Sequence, residues 1–539
     1  MAIDPGNALR DRPRLLVDAK VQPMPSQNSK LETQNSELET KSSKPKTQHL
    51  LGIDLGTSSV KAVVINRRGA VKGIGAAEYP ILTPCAGYAE QEPADWWRAT
   101  VAAVRQAVSA AGRPEILGIG FSGQMHGFVL VDQNGSPVRP AIIWADQRSA
   151  DLLPAIKETV GLDLLAKKCG TAPAAGFLIS SLYWLQRNEP ASVQRSWRFL
   201  LPKDFIRFKL TGDLGTDESD AAATGVFDVS QRVWAEDVIE RLNFPRSVFP
   251  EARVSTGIAG TLRKDAAVEL DLPPGIPVAT GCADQPAQAV GNGLIDPPLG
   301  SVTIGTGGQV FVPLTHPVFD PQLRIHTFCH APKARWYLLG AMLSAGMALR
   351  WFRAVLGLDR VSYAELDRLA AEVEPGCEGL VFLPYLVGER SPIMDPQARA
   401  GFVGLTLRHT PGHLVRALLE GVAFALRQII ETMVECGAEL STLVASGNGL
   451  ASPLWRQMLA DVLNRPLVRG VDEYAAERAG VGAAIIAGIG AGVFKGYEET
   501  RSLAPAFEAV TSPDPDRTGL YGLHYTRFVD LYPRLKNWF

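Results

Sequence analysis

The sequence predicts an α/β protein built from two related halves, on three observations. β-rich runs alternate with stretches of helical periodicity from Leu50 onward. The segment DLGTSSVK at 54–61 is echoed by TIGTGGQV at 303–310, a Gly-Thr step inside two similarly flanked strand pairs. At 539 residues the chain exceeds what one ordinary hydrophobic core organises, so two domains are expected.

Residues 1–49 stand apart. From Gln22 to Gln48 the composition is dominated by Ser, Gln, Lys, Thr, Glu and Pro, and includes the near-repeat LETQNSELET. So little apolar surface cannot offset chain entropy, and a disordered tail is expected. The runs 50–55 and 60–65 then flank GTSS; with the turn at 66–69 and the apolar run beyond it they predict an antiparallel meander. In PADWWRATVAAVRQAVSAAGRP, Trp97, Val101, Val104 and Val108 recur at helical spacing, with Asp95 near the start, Gly112 just past the end and Pro114 beyond. Strand signals return at 116–121 and 128–131 around the turn SGQMHG.

Further on, a strand at 277–280 runs through small residues to Asp284 at an expected helix start. VASGNGLASPLWRQMLADVLNRP predicts strand, glycine turn and helix, with Trp455, Met458, Leu459 and Val462 spaced for burial. AERAGVGAAIIAGIGAG predicts a helix whose small residues let backbones approach closely.

Composition excludes several classes of function. Lys plus Arg (54) and Asp plus Glu (56) nearly balance, leaving a formal charge of -2 that does not favour nucleic acid. Cysteines 85, 169, 282, 329, 377 and 436 are scattered singly and read as reduced, buried thiols. With neither a long apolar run nor signal-peptide order, a soluble cytoplasmic chain without a membrane partner is expected.

The chemistry concentrates at a few positions. A strand interior disfavours aspartate by propensity and by desolvation, so Asp54 requires a partner or a task. Its echo at Thr303 carries no acid. Two such turns suit phosphate: glycine lets backbone N–H groups approach an anion, and Thr57, Ser58 and Thr306 add hydroxyl donors. Asp54 would then hold Mg²⁺ or its waters, since that ion takes one or two carboxylates and shares phosphate oxygens. Asp284 reads either as a helix cap or as a general base able to take a hydroxyl proton. The Gly-Asn-Gly turn at 447–449 resembles a nucleotide shelf, whereas Trp455 reads as core. His326, Cys329 and His330 fall short of a zinc ligand set. Glu389 and Arg390 read as a structural ion pair, and Asp146 with Arg148 as either a sugar contact or a loop brace.

The order of IDLGTSSVK, GFSGQMHG, AIIWADQRS, LPKDFIRFKLTG, GCADQ, IGTGGQV, FLPYLVGERSP, AGFVGLTLRHTPGHLVRALLEG and SGNGLASPLWRQMLAD resembles the FGGY carbohydrate kinases. Within that family SGQMHG is the segment that favours xylulose over glycerol or gluconate. The resemblance implies two ribonuclease-H-like, actin-type ATPase domains, 50–296 for sugar and phosphate and 297–539 for ATP, with the active site in the cleft between them. It implies ATP-dependent phosphorylation of D-xylulose to D-xylulose 5-phosphate. Asp284 is then the base and Asp54 the acid beside Mg²⁺. Met125, His126, Asp284 and Gln285 touch the sugar. Gly56, Thr57, Ser58, Gly305, Thr306 and Gly307 face the phosphates, and Gly447, Asn448, Gly449 and Ser452 face adenosine. The implied partners are a small sugar and ATP, with a homodimer left open.

Departures from the family pattern are Leu178 and Ser181 in its N-terminal signature, Gln285 for Asn, Gly307 for Ser, and Asn448 for Gly. Gln285 keeps open a kinase of another ketose or polyol such as D-ribulose; a non-catalytic actin-type nucleotide-binding protein is the more distant alternative, against which Asp284 and SGQMHG argue.

Overall fold

The computed structural model describes residues 48–471 and 474–539. The tail expected at 1–49 lies outside the described residues except for Gln48 and His49, which open the first strand.

The expected meander is formed by β1 (Gln48–Leu55), β2 (Ser59–Asn66) and β3 (Val71–Glu78), each antiparallel to the next. Helix α1 (Pro93–Ala110) follows, with proline in its first turn. Its inward face is wider than the valine spacing implied. Trp96 is fully buried and meets Phe205 edge-on at 6.3 Å, so α1 covers a neighbouring helix as well as the sheet.

Strand β4 (Glu115–Gly123) pairs parallel with β1, and β5 (Pro277–Ala279) pairs parallel with β4. An edge strand at Ile258–Thr261 completes the order Ile258–Thr261, β5, β4, β1, β2, β3. Central position explains composition: β1 is covered on both faces, and Leu50, Leu51, Ile53 and Leu55 are fully buried. Helix α2 (Asp284–Gly291) leaves this sheet through a short connector.

The second half repeats the plan. Strands β6 (Leu299–Ile304), β7 (Gly308–Leu314) and β8 (Trp336–Met342) form an antiparallel meander. Helix α3 (Pro411–Glu435), whose start is closed reciprocally by Thr410 and His413, fills the core beneath them. Strand β9 (Thr442–Ser446) then pairs parallel with β6, as β4 does with β1. After helix α4 (Pro453–Leu463), strand β10 (Leu467–Gly470) adds outside β9.

Helix α5 (Arg478–Gly490) is the glycine-alanine segment, and it returns to the first sheet. A Cβ on Gly52 would lie 1.9 Å from the Gly480 carbonyl oxygen, and one on Gly120 would lie 2.0 Å from that of Ala483. On the other side a Cβ on Gly482 would lie 1.9 Å from the Ala287 oxygen of α2. The small residues therefore set the spacing between sheet, α5 and α2, and through α2 the height of Asp284. Four cysteines are buried, but Cys85 is exposed in the loop before α1 and Cys436 is half-buried, which corrects the uniform expectation. Among the described residues no helix is long and apolar enough to cross a membrane.

Replacing Gly120 by valine is expected to lower stability by about 1–3 kcal/mol or more, as overpacking does. Urea unfolding checks this, and an unchanged midpoint would contradict the contact between β4 and α5.

Candidate active site

Asp54 stands one residue before the end of β1, opposite Ser122 of β4 in the parallel register. The Ser122 hydroxyl donates to Oδ1 of Asp54 at 2.7 Å. Burial raises the pKa of Asp54, while the Ser122 bond and the Lys61 charge act in the opposite sense. The second half places Thr303 opposite Ser446, their hydroxyls 2.6 Å apart. The two turns thus share a paired hydroxyl, and one of them substitutes an acid for its partner.

The first turn is braced. Tyr79 donates its hydroxyl hydrogen bond to the Gly56 carbonyl, and Gln91 Nε2 donates to that of Thr57 at 2.6 Å. Trp144 Nε1 donates to Thr57 Oγ1 at 2.8 Å, which leaves the threonine proton available to a further acceptor. Ser58 is exposed at the tip.

Asp284 is the first residue of α2; Ala283 occupies the cap position, and no side chain caps the helix. The capping alternative therefore fails on geometry. Oδ1 of Asp284 is buried with no hydrogen-bond partner among the described residues. Burial first, and the Asp54 charge second, push this carboxyl up to about 7, with the Gln285 amides opposing. The carboxylates of Asp54, near a strand end, and Asp284, at a helix start, are therefore close enough to repel each other, each residue being half-buried. Gln285 itself lines a small gap with Thr303, Gln309, Phe311 and Ser446, where the two halves meet.

Met125 and His126 follow β4 after Gln124. Met125 is buried, and His126 takes a φ of 74°, a left-handed backbone that a bulky residue seldom adopts. Its ring lies flat on Phe177 at 3.7 Å. Nδ1 sits 2.8 Å from the Ala223 carbonyl oxygen, so Nδ1 carries the proton and Nε2 is the acceptor. Burial lowers its pKa to about 3 despite that bond, with His326 and Arg390 adding to the shift, so the ring is neutral near pH 7.

The β6–β7 turn, Gly305, Thr306 and Gly307, is docked on the backbone that leads into the helix Gly346–Val355: Ala345 and Met347 N–H groups both donate to Thr306 O at 3.0 Å. A Cβ on Gly307 would sit 2.5 Å from the Met342 oxygen, so the serine common in the family has no room here. Gly447 has a φ of 87° and would place a Cβ 2.4 Å from the Ile304 oxygen, so glycine is required on both counts. Between these turns opens a cavity of about 590 Å³ lined by Gly305, Thr306, Arg350, Tyr363, Asp367, Asn448, Gly449, Ser452 and Trp455. That volume suits a nucleoside-sized ligand. Ser452 caps α4 by accepting the Trp455 N–H at 3.1 Å. Trp455 is 2% exposed and donates Nε1 to Leu419 O, a core residue with one edge on the cavity.

The structure also corrects and extends the expectations. Glu389 is not paired with the Arg390 guanidinium: its Oε1 accepts the backbone N–H groups of Leu343 at 2.9 Å and Arg390 at 2.7 Å, and burial pushes its carboxyl up to about 8. Asp146 and Arg148 brace a loop, bonded to each other at 2.8 Å, to Glu90 and to the Ala89 N–H. His326 bonds Thr171 and His330 bonds the Leu294 carbonyl, and the described residues contain no metal-binding group of three or more such side chains. Sequence reasoning missed Ser122, Trp144 and Phe177, and in the cavity Arg350, Tyr363 and Asp367. Of these, only Trp144 and Ser122 lie in quoted motifs; the others come from helices and loops that carry no motif.

The chain belongs to the FGGY family of carbohydrate kinases: the family's N-terminal domain matches residues 49–291 and its C-terminal domain residues 300–491. It is a carbohydrate kinase with that family's two-domain, ribonuclease-H-like architecture. It is 35% identical over 489 residues to a xylulose kinase of Lactococcus lactis subsp. lactis (strain IL1403), covering 90% of this chain and 96% of that protein. To a xylulose kinase of Escherichia coli (strain K12) it is 34% identical over 487 residues, covering 90% and 99%. The crystal structure of xylulose kinase from Rhodospirillum rubrum superposes with a TM-score of 0.85 at 30% identity, covering 91% of this chain and 99% of that one.

The His126 ring is expected to stay neutral with its proton on Nδ1 throughout pH 5–8. Nitrogen-detected histidine NMR checks this; titration near 6.5 would contradict the enclosed geometry.

Proposed function

We propose that the protein transfers the γ-phosphoryl group of ATP to the terminal hydroxyl of D-xylulose, giving D-xylulose 5-phosphate. The observation that carries this reading is Asp284: a buried carboxylate oxygen without a partner, at a helix start, with a pKa about 7. A base with that value is deprotonated often enough near neutrality and still holds a proton well. The names of the relatives support the choice of sugar.

In this mechanism Asp284 accepts the proton of the C5 hydroxyl as its oxygen attacks the γ-phosphorus in line, and ADP leaves from the opposite side. The neutral Nε2 of His126 accepts from a sugar hydroxyl, while Met125 contributes backbone and Gln285 its amide. Residues 50–296 hold the sugar and the first phosphate turn, and residues 297–539 hold ATP. Gly56, Thr57 and Ser58 face Gly305, Thr306 and Gly307 across the phosphates, with adenosine against Gly447, Asn448, Gly449 and Ser452. A half-buried carboxylate disfavoured in its charged form, beside a second one with an orphaned oxygen, fits a divalent cation. Asp54 would hold Mg²⁺, which supplies neutralisation of phosphate charge when bound. Closure of the cleft excludes water, a smaller rival nucleophile.

One observation favours a second reading. Gln285 is longer than the usual asparagine and directly follows Asp284 on α2, so another ketose or polyol such as D-ribulose is the alternative substrate.

Asp284→Ala is expected to abolish sugar-dependent ADP release while leaving ATP binding nearly intact. A coupled assay over ketopentoses, hexuloses, glycerol and gluconate, with a no-sugar control, checks the loss of activity and the choice of sugar, and titration calorimetry with ATP checks the retained binding. An active Asp284→Ala enzyme would remove the assignment, and a stronger preference for another sugar would replace xylulose. Because the base works deprotonated, kcat/KM for the sugar should rise with pH and level off above about 7.

A further inference from the structure

Lys203 is fully buried in the first half, with its ammonium between three equally buried carboxylates: Asp204 at 2.8 Å, Asp217 at 2.9 Å and Asp220 at 3.0 Å. Desolvating so many charges is costly, and apolar residues of similar volume would fill the space more cheaply. The cluster's connections explain its presence.

Oδ2 of Asp217 accepts three hydrogen bonds, from Ser219 N at 2.9 Å, Ser219 Oγ at 2.6 Å and Ser255 Oγ at 2.9 Å. With its proton committed there, Ser219 Oγ presents lone pairs to the Ala283 N–H, which donates to it at 3.1 Å. On the other side Asp204 Oδ1 accepts from Lys203 and from Arg207 Nη1, each at 2.8 Å. The same Arg207 nitrogen donates to the Thr280 carbonyl at 2.9 Å. Thr280 to Ala283 is the connector from β5 to α2, and Asp284 is the next residue.

The cluster also reaches the histidine. Ser219 and Asp220 lie on the short helix Glu218–Ala222, which ends at Ala223, the residue whose carbonyl accepts from His126 Nδ1. A Cβ on Gly123, at the end of β4, would touch the Lys203 stem at 2.9 Å. One buried ammonium therefore ties together the backbone on either side of the connector and the element that orients His126.

We propose that Lys203 is a positioning residue for phosphoryl transfer, holding the Asp284 carboxylate in register with the sugar site through Asp217–Ser219–Ala283 and Asp204–Arg207–Thr280. This rests on the assignment of Asp284 as the base. Ser219→Ala removes only the hydroxyl that accepts the Ala283 amide. Its kcat is expected to fall on the order of 10- to 100-fold, the scale of a small misplacement of a reacting group. KM for ketopentose and for ATP should change less than about threefold, since neither ligand is touched. Ser219→Thr, which keeps the hydroxyl, should recover part of kcat. Lys203→Met should lose at least as much; if it fails to fold, the serine pair alone decides.

Steady-state kinetics well below the thermal midpoint, with Asp284→Asn in the same series, separates the outcomes. A Ser219→Ala enzyme whose kcat stays within twofold, or whose only changes are in KM or thermal midpoint, overturns the positioning role. An active Asp284→Asn enzyme overturns the base assignment instead.

Discussion

Bringing the half-buried carboxylates of Asp54 and Asp284 close enough to repel each other is the constraint on which the rest of the structure depends. Each raises the cost of charging its surroundings, and the repulsion between them is strong enough to help move the Asp284 pKa to about 7. Such an arrangement persists only if the surrounding backbone holds both groups in place. The architecture does so by rigid means: Asp54 sits on a fully covered central strand, and Asp284 on a helix pressed against α5 by glycine contacts.

The duplicated plan explains where the two acids come from. Each half brings a meander and a parallel strand together so that a residue before the hairpin turn faces a serine on its neighbour. In the second half the pair is two hydroxyls, Thr303 and Ser446; in the first the threonine position is an acid, Asp54. One half therefore offers a glycine turn beside a carboxylate, which suits the metal-side role proposed for Asp54, and the other a turn beside a nucleoside-sized cavity. A single residue distinguishes the two turns.

Much of this was legible in the sequence because it is local. The meander, the repeat of the Gly-Thr turn, the small-residue helix and the burial of Trp455 follow from periodicity and turn chemistry, and the motifs around Asp54, His126 and Asp284 carry the family. What escaped depends on distant pairing. Ser122 meets Asp54 only through the parallel register of β1 and β4. Whether Asp284 caps its helix turns on backbone angles that place Ala283 at the cap instead. Adjacency in sequence suggested an ion pair between Glu389 and Arg390, yet the nearest donors to that carboxylate are main-chain amides. The departure at Gly307 is likewise steric, set by a carbonyl on β8.

The most direct measurement is the titration of the Asp284 carboxyl by carbon NMR on aspartate-labelled protein, in the native chain and in Asp54→Asn. The native carboxyl is expected to titrate near 7, and removal of the Asp54 charge to lower that value while burial keeps it above the ordinary range. An Asp284 that titrates near 4 in both proteins would contradict the shared site and the base chemistry built on it.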